Sequence, residues 1–208
     1  MSLYDEIWAE LPAERALDEA AVQFALGVAH SVASAAESGA RALDLGCGDG
    51  AITARLAETG LAATGVDPSQ VALERARARH PDLELAAPLG DGRLPFADSS
   101  FEAVFCIHVL QHVADTQMLM SEVRRVLVPG GTIAIVVPWH GRLKNVLIAV
   151  GSFERHHDPL EPVVRHYTRR SLESLLLSFG FDDVRLRGAG GLPLARSTLL
   201  ARALRCAP

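Results

Sequence analysis

Asp44-Leu45-Gly46-Cys47-Gly48-Asp49-Gly50 decides the reading of this chain. An apolar run, Ala40-Arg41-Ala42-Leu43-Asp44-Leu45, leads into the glycines and reads as a buried strand. A helical stretch from Ala51 to Glu58 follows them. Glycines at a strand's carboxyl end let the backbone turn tightly and come close to a ligand. The helix behind them offers free N–H groups to a negative ligand atom. The spacing is GxGxG, so the third glycine comes one position earlier than in the GxGxxG of dinucleotide folds. A tight strand–helix turn alone would also explain it, so the flanking elements have to decide.

Downstream, strand and helix alternate. Ala62–Val66 reads as a strand, and a helix runs from Ser69, its N-cap, to Arg79. Strands follow at Leu83–Ala87 and Ser100–Ile107. A helix over Asp115–Leu127 turns Leu119, Val123, Val126 and Leu127 inward, and Gly131–Val137 is again strand. Thr168 caps a helix with Leu172, Leu175, Leu176 and Phe179 on one face, and Gly180 ends it. Phe181–Leu186 and Ser197–Leu204 are the last strands. Upstream, Leu17 to Glu37 has the apolar spacing of a helix, ended by Gly39.

The expected fold is therefore α/β: a doubly wound, Rossmann-like, seven-stranded and mostly parallel sheet. The turn Gly188-Ala189-Gly190-Gly191 is too short for a parallel crossover, so one antiparallel strand is expected near the C-terminal edge. Residues 1–208 read as a single domain. Residues 1–39 form an N-terminal helical cap, and the His- and Pro-rich stretch 139–167 is an insertion lining the substrate pocket.

Two acidic positions give the glycine turn a chemical meaning. Asp67 ends the second strand, 21 residues after Gly46. That is the spacing of an acid that receives a ribose diol. Gly90-Asp91-Gly92 follows the third strand; Asp91 can accept from an exocyclic amine and the Gly92 N–H can serve a ring nitrogen. A turn residue before glycine is the plainer reading of Asp91.

Composition excludes several alternatives. With 49% apolar and 22% charged residues the chain is neither disordered nor fibrous. A net charge of −5 and one lysine, Lys144, argue against a nucleic-acid partner. Cys47, Cys106 and Cys206 form no CxxC pair, so neither a disulfide scaffold nor a zinc site is expected. The N-terminus lacks signal-peptide order, and apolar runs are far shorter than the roughly twenty residues a membrane span needs. A cytoplasmic protein with no membrane partner is the expectation; the oligomeric state is left open.

Taken together, the chain resembles a class I S-adenosylmethionine (SAM)-dependent methyltransferase of the small UbiE/UbiG-like (type 11) family. The resemblance runs over residues 41–138. It rests on Leu43–Gly50, Gly65-Val66-Asp67-Pro68-Ser69, Gly90-Asp91 with Leu94-Pro95-Phe96, Ser100–Val104, His108–Val113 and Arg125–Gly131. Gln111 and Val128 depart from the family's usual Glu and Lys. The resemblance implies SAM as cofactor and S-adenosylhomocysteine as product. Asp44, Gly46 and Gly48 would hold the methionine moiety, Asp67 the ribose hydroxyls, and Asp91 and Gly92 the adenine, with Cys47 and Pro68 also in the cofactor site. The backbone at Ile107 and His108 would face the ligand's amino group.

SAM carries its own leaving group, so the protein must align a nucleophile and exclude water. A general base helps if the nucleophile starts protonated. His108, ending the fourth strand, and His140, following the fifth, are the candidate catalytic residues; His112 reads better as a structural hydrogen-bonder. Tyr4 and Trp8 would fold over the pocket or merely pin the first helix. Arg165 would pair with an anionic substrate or stay solvated. No metal site is expected: His156, His157 and Asp158 fit no closed ligand spacing. The expected reaction is methyl transfer to an oxygen, or a nitrogen, of a small-molecule metabolite. An NAD-dependent oxidoreductase and a non-catalytic SAM-binding scaffold are the rivals. DNA-base methylation is disfavoured, since Cys106-Ile107-His108-Val109 stands where an Asp/Asn-Pro-Pro-aromatic run belongs.

Overall fold

Alternating strands with two apolar faces need cover on both sides, and the computed structural model supplies it. It describes residues 3–12, 16–36, 39–139, 146, 150–151, 163–190 and 197–207. The elements are α1 (Leu3–Glu10), α2 (Glu19–Ala35), β1 (Arg41–Leu45), α3 (Ala51–Glu58), β2 (Ala62–Val66), α4 (Gln70–Arg79) and β3 (Glu84–Ala86). Then come β4 (Phe101–Ile107), a 3-10 turn (Leu110–His112), α5 (Thr116–Val126), β5 (Leu127–Pro138), α6 (Arg169–Ser178), β6 (Phe181–Ala189) and β7 (Thr198–Arg205). The sheet order is β3-β2-β1-β4-β5-β7-β6. β7 runs antiparallel to both β5 and β6, and every other pairing is parallel. The expected doubly wound, seven-stranded sheet is the observed one.

Strand periodicity divides the core. Val104 and Cys106 of β4, with Ile133, Ile135 and Val137 of β5, face one layer, where Met120, Val123 and Val126 of α5 and Leu172 and Leu176 of α6 cover them. Ala103, Phe105, Ile107, Ala134 and Val136 face the other layer, against Ala21, Ala25, Val28 and Ala29 of α2 and Leu56 of α3. Alternating residues therefore serve opposite layers, as a strand requires. Phe101 and Phe105 are wholly buried, each contributing about 1.5–3 kcal/mol relative to exposure.

Helix ends follow their capping residues. Asp18 caps α2, accepting from the Ala20 and Ala21 N–H groups at 3.0 and 3.2 Å. The helix thus starts two residues later than the apolar spacing predicts, because Asp18 bonds from outside it. Ser69 caps α4 through the Ala72 N–H, Asp115 caps α5 through the Met118 N–H, and Thr168 caps α6 in a capping box with Ser171.

Two strand boundaries depart from the sequence reading. β5 begins at Leu127 rather than Gly131, because Leu127 pairs with Phe101 across an irregularity that precedes the Ala103–Thr132 register. Gly188 and Ala189 are paired strand residues, opposite Leu199 and Thr198, and not the turn expected of them. Within the 139–167 stretch, Trp139 and Tyr167 bridge each other, so Tyr167 returns to the β5 end. His140, His156, His157 and Asp158 lie outside the described residues. Among the described residues, no helix is long and apolar enough to cross a membrane.

Candidate functional site

The β1, β2 and β4 ends open on one crevice, as open parallel sheets dictate. A cavity of about 300 Å³ lies there, lined by Leu45, Gly46, Val66, Asp67, Pro68, Gly92, Ile107 and His108, among others. Tyr4, Ile7 and Trp8 of α1, with Leu11 just beyond it, close it. The expectation that Tyr4 and Trp8 fold over the pocket matches this placement.

On the cavity floor, Gly46 has φ +72°, and a Cβ there would come within 2.3 Å of the Val109 side chain. A side chain is excluded on conformation and on space. Gly48 has φ +56°, and a Cβ would fall 2.5 Å from the Trp8 ring. The Gly46 and Cys47 N–H groups donate to the Val66 carbonyl at 2.7 and 3.1 Å, tying the turn to β2. Asp67 is 5% exposed. Its Oδ2 accepts from the Gly48 N–H and its Oδ1 from the Ser69 N–H, each at 2.9 Å. Carboxylate oxygens have two acceptor positions apiece, and these two bonds use one on each.

Asp44, Cys47 and Gly48 do not line the cavity. Asp44 is 2% exposed and lies under the turn, accepting from the Thr53 hydroxyl at 2.6 Å. Burial pushes its carboxyl up to about 7, against the pull of the Thr53 bond. Burial, then the charges of Asp44 and Asp67, push the Cys47 thiol up, so it is no thiolate nucleophile. It fills the space over Gly65 instead, where a Cβ would meet Cys47 Sγ at 2.8 Å. Asp91 is likewise absent from the cavity wall. It is exposed, and accepts from the Arg93 N–H and Nε at 3.1 and 2.7 Å. Its neighbour Gly92 does reach the cavity.

At the rim, His108 adopts a left-handed φ of +58° directly after β4. Non-glycine residues held so cost about 1–3 kcal/mol and cluster at functional sites. Both sides of the strained residue are fixed: its N–H donates to Val136 O at 2.8 Å, and its carbonyl accepts from Gln111 Nε2 at 2.9 Å. Gln111, the departure from the family's Glu, is thereby a brace for the turn. His112 shares the cavity wall, with Nε2 3.1 Å from Gln111 Nε2, and its carbonyl accepts from the Tyr4 hydroxyl at 2.8 Å. Burial, then the Asp67 charge, hold that hydroxyl protonated above its ordinary range. Arg165 spends its guanidinium on the Val113 and Ala114 carbonyls, at 3.2 and 2.6 Å.

One contact was invisible in the sequence. Asp18 Oδ2 stands 3.3 Å from His108 Nε2 and accepts from the Thr198 hydroxyl at 3.1 Å. The sequence reading starts α2 at Leu17, and nothing local pairs residue 18 with 108 or 198.

The cavity suits the cofactor that the resemblance implies. A sulfonium nucleoside needs close backbone approach, an acceptor for a diol and an apolar slot. Gly46, Asp67 and the Leu45, Val66, Pro68 and Ile107 walls have that chemistry. Known proteins agree. Residues 43–135 match the family model described as a methyltransferase domain. The demethylmenaquinone methyltransferase of Beutenbergia cavernae is 38% identical over 173 residues, covering 75% of this chain and 71% of that protein. That of Tropheryma whipplei is 38% identical over 106 residues, covering 50% and 44%; the match spans less than half of the latter's length. A SAM-dependent methyltransferase from Mesorhizobium loti shares the fold, with TM-score 0.67 and 22% identity over 91% of this chain and all of that one. The chain belongs to the class I SAM-dependent methyltransferases, UbiE-like branch, and SAM is its cofactor.

Proposed function

We propose that this methyltransferase acts on a small, largely apolar metabolite bearing an ionisable hydroxyl, that its methyl goes to that oxygen, and that His108 removes the hydroxyl's proton. A nitrogen acceptor would use the same base. The observation that carries this reading is His108 itself: a strained, braced histidine on the wall of a cavity that also holds Gly46 and Asp67. Histidine is the side chain whose ordinary range suits proton transfer near neutrality, and general-base help contributes about 10²–10⁴-fold.

When bound, SAM supplies an electrophilic methyl with a neutral thioether as its leaving group. The chain's residues do the rest. Gly46 and Gly48, without side chains, would let the methionine end come close to the turn, with Asp44 and Cys47 as support beneath them. Asp67 would accept from the ribose hydroxyls, with Pro68 beside it. Gly92 would meet the adenine; Asp91, engaged by Arg93, would act through that turn's shape. The Ile107–His108 backbone would face the amino group. Tyr4, Ile7, Trp8 and Leu11 would exclude water. His140 stays a second candidate base. A cytoplasmic location and a partner set without nucleic acid fit the acidic composition.

A second reading has its own support. Relatives named for demethylmenaquinone favour a ring carbon as the methyl acceptor. Deprotonating a ring hydroxyl would activate that carbon too, so the role of His108 is unchanged. The test adds enzyme and SAM to a small-molecule extract and follows methylated products by mass spectrometry, with His108→Gln beside the wild type. The proposal expects an apolar methyl ether, made from a hydroxylated precursor at least about 100-fold more slowly by the variant. Equal rates would remove His108 as the base.

A further inference from the structure

The contact between His108 and Asp18 goes one step beyond that proposal and rests on its reading of His108 as the base. Asp18 uses its two oxygens for different tasks. Oδ1 alone makes the helix cap, accepting from the Ala20 and Ala21 N–H groups. Capping α2 requires nothing more. Oδ2 turns to the Thr198 hydroxyl at 3.1 Å and His108 Nε2 at 3.3 Å. Three distant parts of the chain thus meet: the residue ahead of α2, the first residue of β7, and the residue just after β4. Each is held by backbone as well. His108 is fixed between Val136 and Gln111, and Thr198 opens the ladder that pairs it with Pro138.

We propose that Asp18 is a positioning residue for His108: its Oδ2 accepts the Nε2 proton, fixes the ring against the cavity wall, and makes Nδ1 the basic nitrogen. Which ring nitrogen carries the proton is set by the hydrogen bond the other makes or refuses. A carboxylate offers no proton, so the one between Nε2 and Oδ2 belongs to the histidine. In the proton step, the acceptor's O–H bond breaks, its electron pair stays on oxygen, and the proton moves to Nδ1. The ring becomes an imidazolium with Nε2–H still on Asp18. It returns to neutral by releasing the Nδ1 proton to water.

Asp18 is itself suited to the task. Burial works to raise its carboxyl, but the Ala21 N–H, the Thr198 hydroxyl and His108 outweigh it and hold it below the ordinary carboxylate range. It therefore stays charged through the range in which a histidine ordinarily titrates. The other groups sharing the cavity with His108 are Tyr4 from α1, Asp67 beyond β2 and His112 from the 3-10 turn. Neither Tyr4 nor His112 brings a fixed negative charge, and Asp67 is bound to the Gly48 and Ser69 N–H groups.

The test reads the ring directly. Nitrogen-15 NMR of the protein's histidines, without added cofactor, should find His108 as the Nε2–H tautomer; His108→Gln assigns its signals. Asp18→Asn keeps an equally good helix cap and removes the charge. It should melt with the wild type, shift the His108 titration to lower pH, and weaken the tautomer preference. Turnover should fall about tenfold, with the acid limb of the pH profile moving in the same direction as the NMR midpoint. Thr198→Val should leave the titration close to wild type. An Nδ1–H tautomer in the wild type, or an unmoved His108 titration in Asp18→Asn, overturns the inference whatever the turnover does. A normal rate in His108→Gln instead sinks the base reading, while the NMR result for Asp18 would still stand.

Discussion

The floor of the cavity and its roof are tied down over different distances along the chain. On the floor, Asp67 bonds to Gly48, 19 residues away, and to Ser69, two away. Gly46 and Cys47 bond to the neighbouring strand. On the roof, the Tyr4 hydroxyl reaches His112, 108 residues off, Asp5 reaches the Ser69 hydroxyl across 64, and Asp18 reaches His108 across 90. The floor also sits on the buried sheet, whereas α1 is a two-turn helix with half-exposed side chains. Contacts of the first kind open only with the whole domain. Contacts of the second kind are few and can open locally. A site that must admit a cofactor and an acceptor through one mouth needs such a division.

Substitutions can break that comparison or sharpen it. Gly46→Ala should have the largest effect. It forces a side chain into positive φ and against Val109, lowering global stability by about 3 kcal/mol in denaturant titrations. Asp44→Asn probes what lies beneath the floor. The raised Asp44 carboxyl keeps a proton that the unfolded chain loses, so this group's contribution to stability falls as pH rises from about 4 towards 7. The variant should remove that decline. Its stability relative to wild type, from melts at each pH, should increase between acid and neutral solution and then level off.

Smaller effects are expected where roof meets floor. Gly48→Ala should destabilise the wild type, and Trp8→Ala should relieve the part caused by the ring. A double-mutant cycle should give a coupling of about 1 kcal/mol. Tyr4→Phe, which removes the bond to the His112 carbonyl, should cost about 0.5–1.5 kcal/mol. It should appear as faster amide exchange confined to α1. If Tyr4→Phe lowered global stability as far as Gly46→Ala, the roof would not be a separately opening unit.

The same division sorts what sequence could reveal. The β1–α3–β2–α4 run was legible to the residue at most boundaries, because strand alternation, Ser69 as cap and the glycine turn are local signals. Gly46 and Asp67 came from spacing alone, and both stand on the cavity wall. Asp91 came from spacing too, but Arg93, two residues on, holds its carboxylate outside the cavity. Gly188 and Ala189 looked like a turn because glycine is common there; tertiary pairing with β7 overrides that preference. Asp18 was read inside a helix beginning at Leu17, and its contact with His108 and Thr198 was not legible, since those partners come from two other strand ends. Local chemistry therefore gives much of the floor and, of the roof, Tyr4 and Trp8; the Asp18–His108 contact comes only with the folded chain.

The central claim is that the floor is the SAM site. Calorimetric titration of S-adenosylhomocysteine tests it most directly, with NADH run beside it and Asp67→Ala as the variant. The account predicts that S-adenosylhomocysteine binds and NADH does not. Asp67→Ala should weaken binding on the order of 100-fold, as expected for losing hydrogen bonds to a charged acceptor. Unchanged affinity in Asp67→Ala, or binding of NADH in place of S-adenosylhomocysteine, would contradict it.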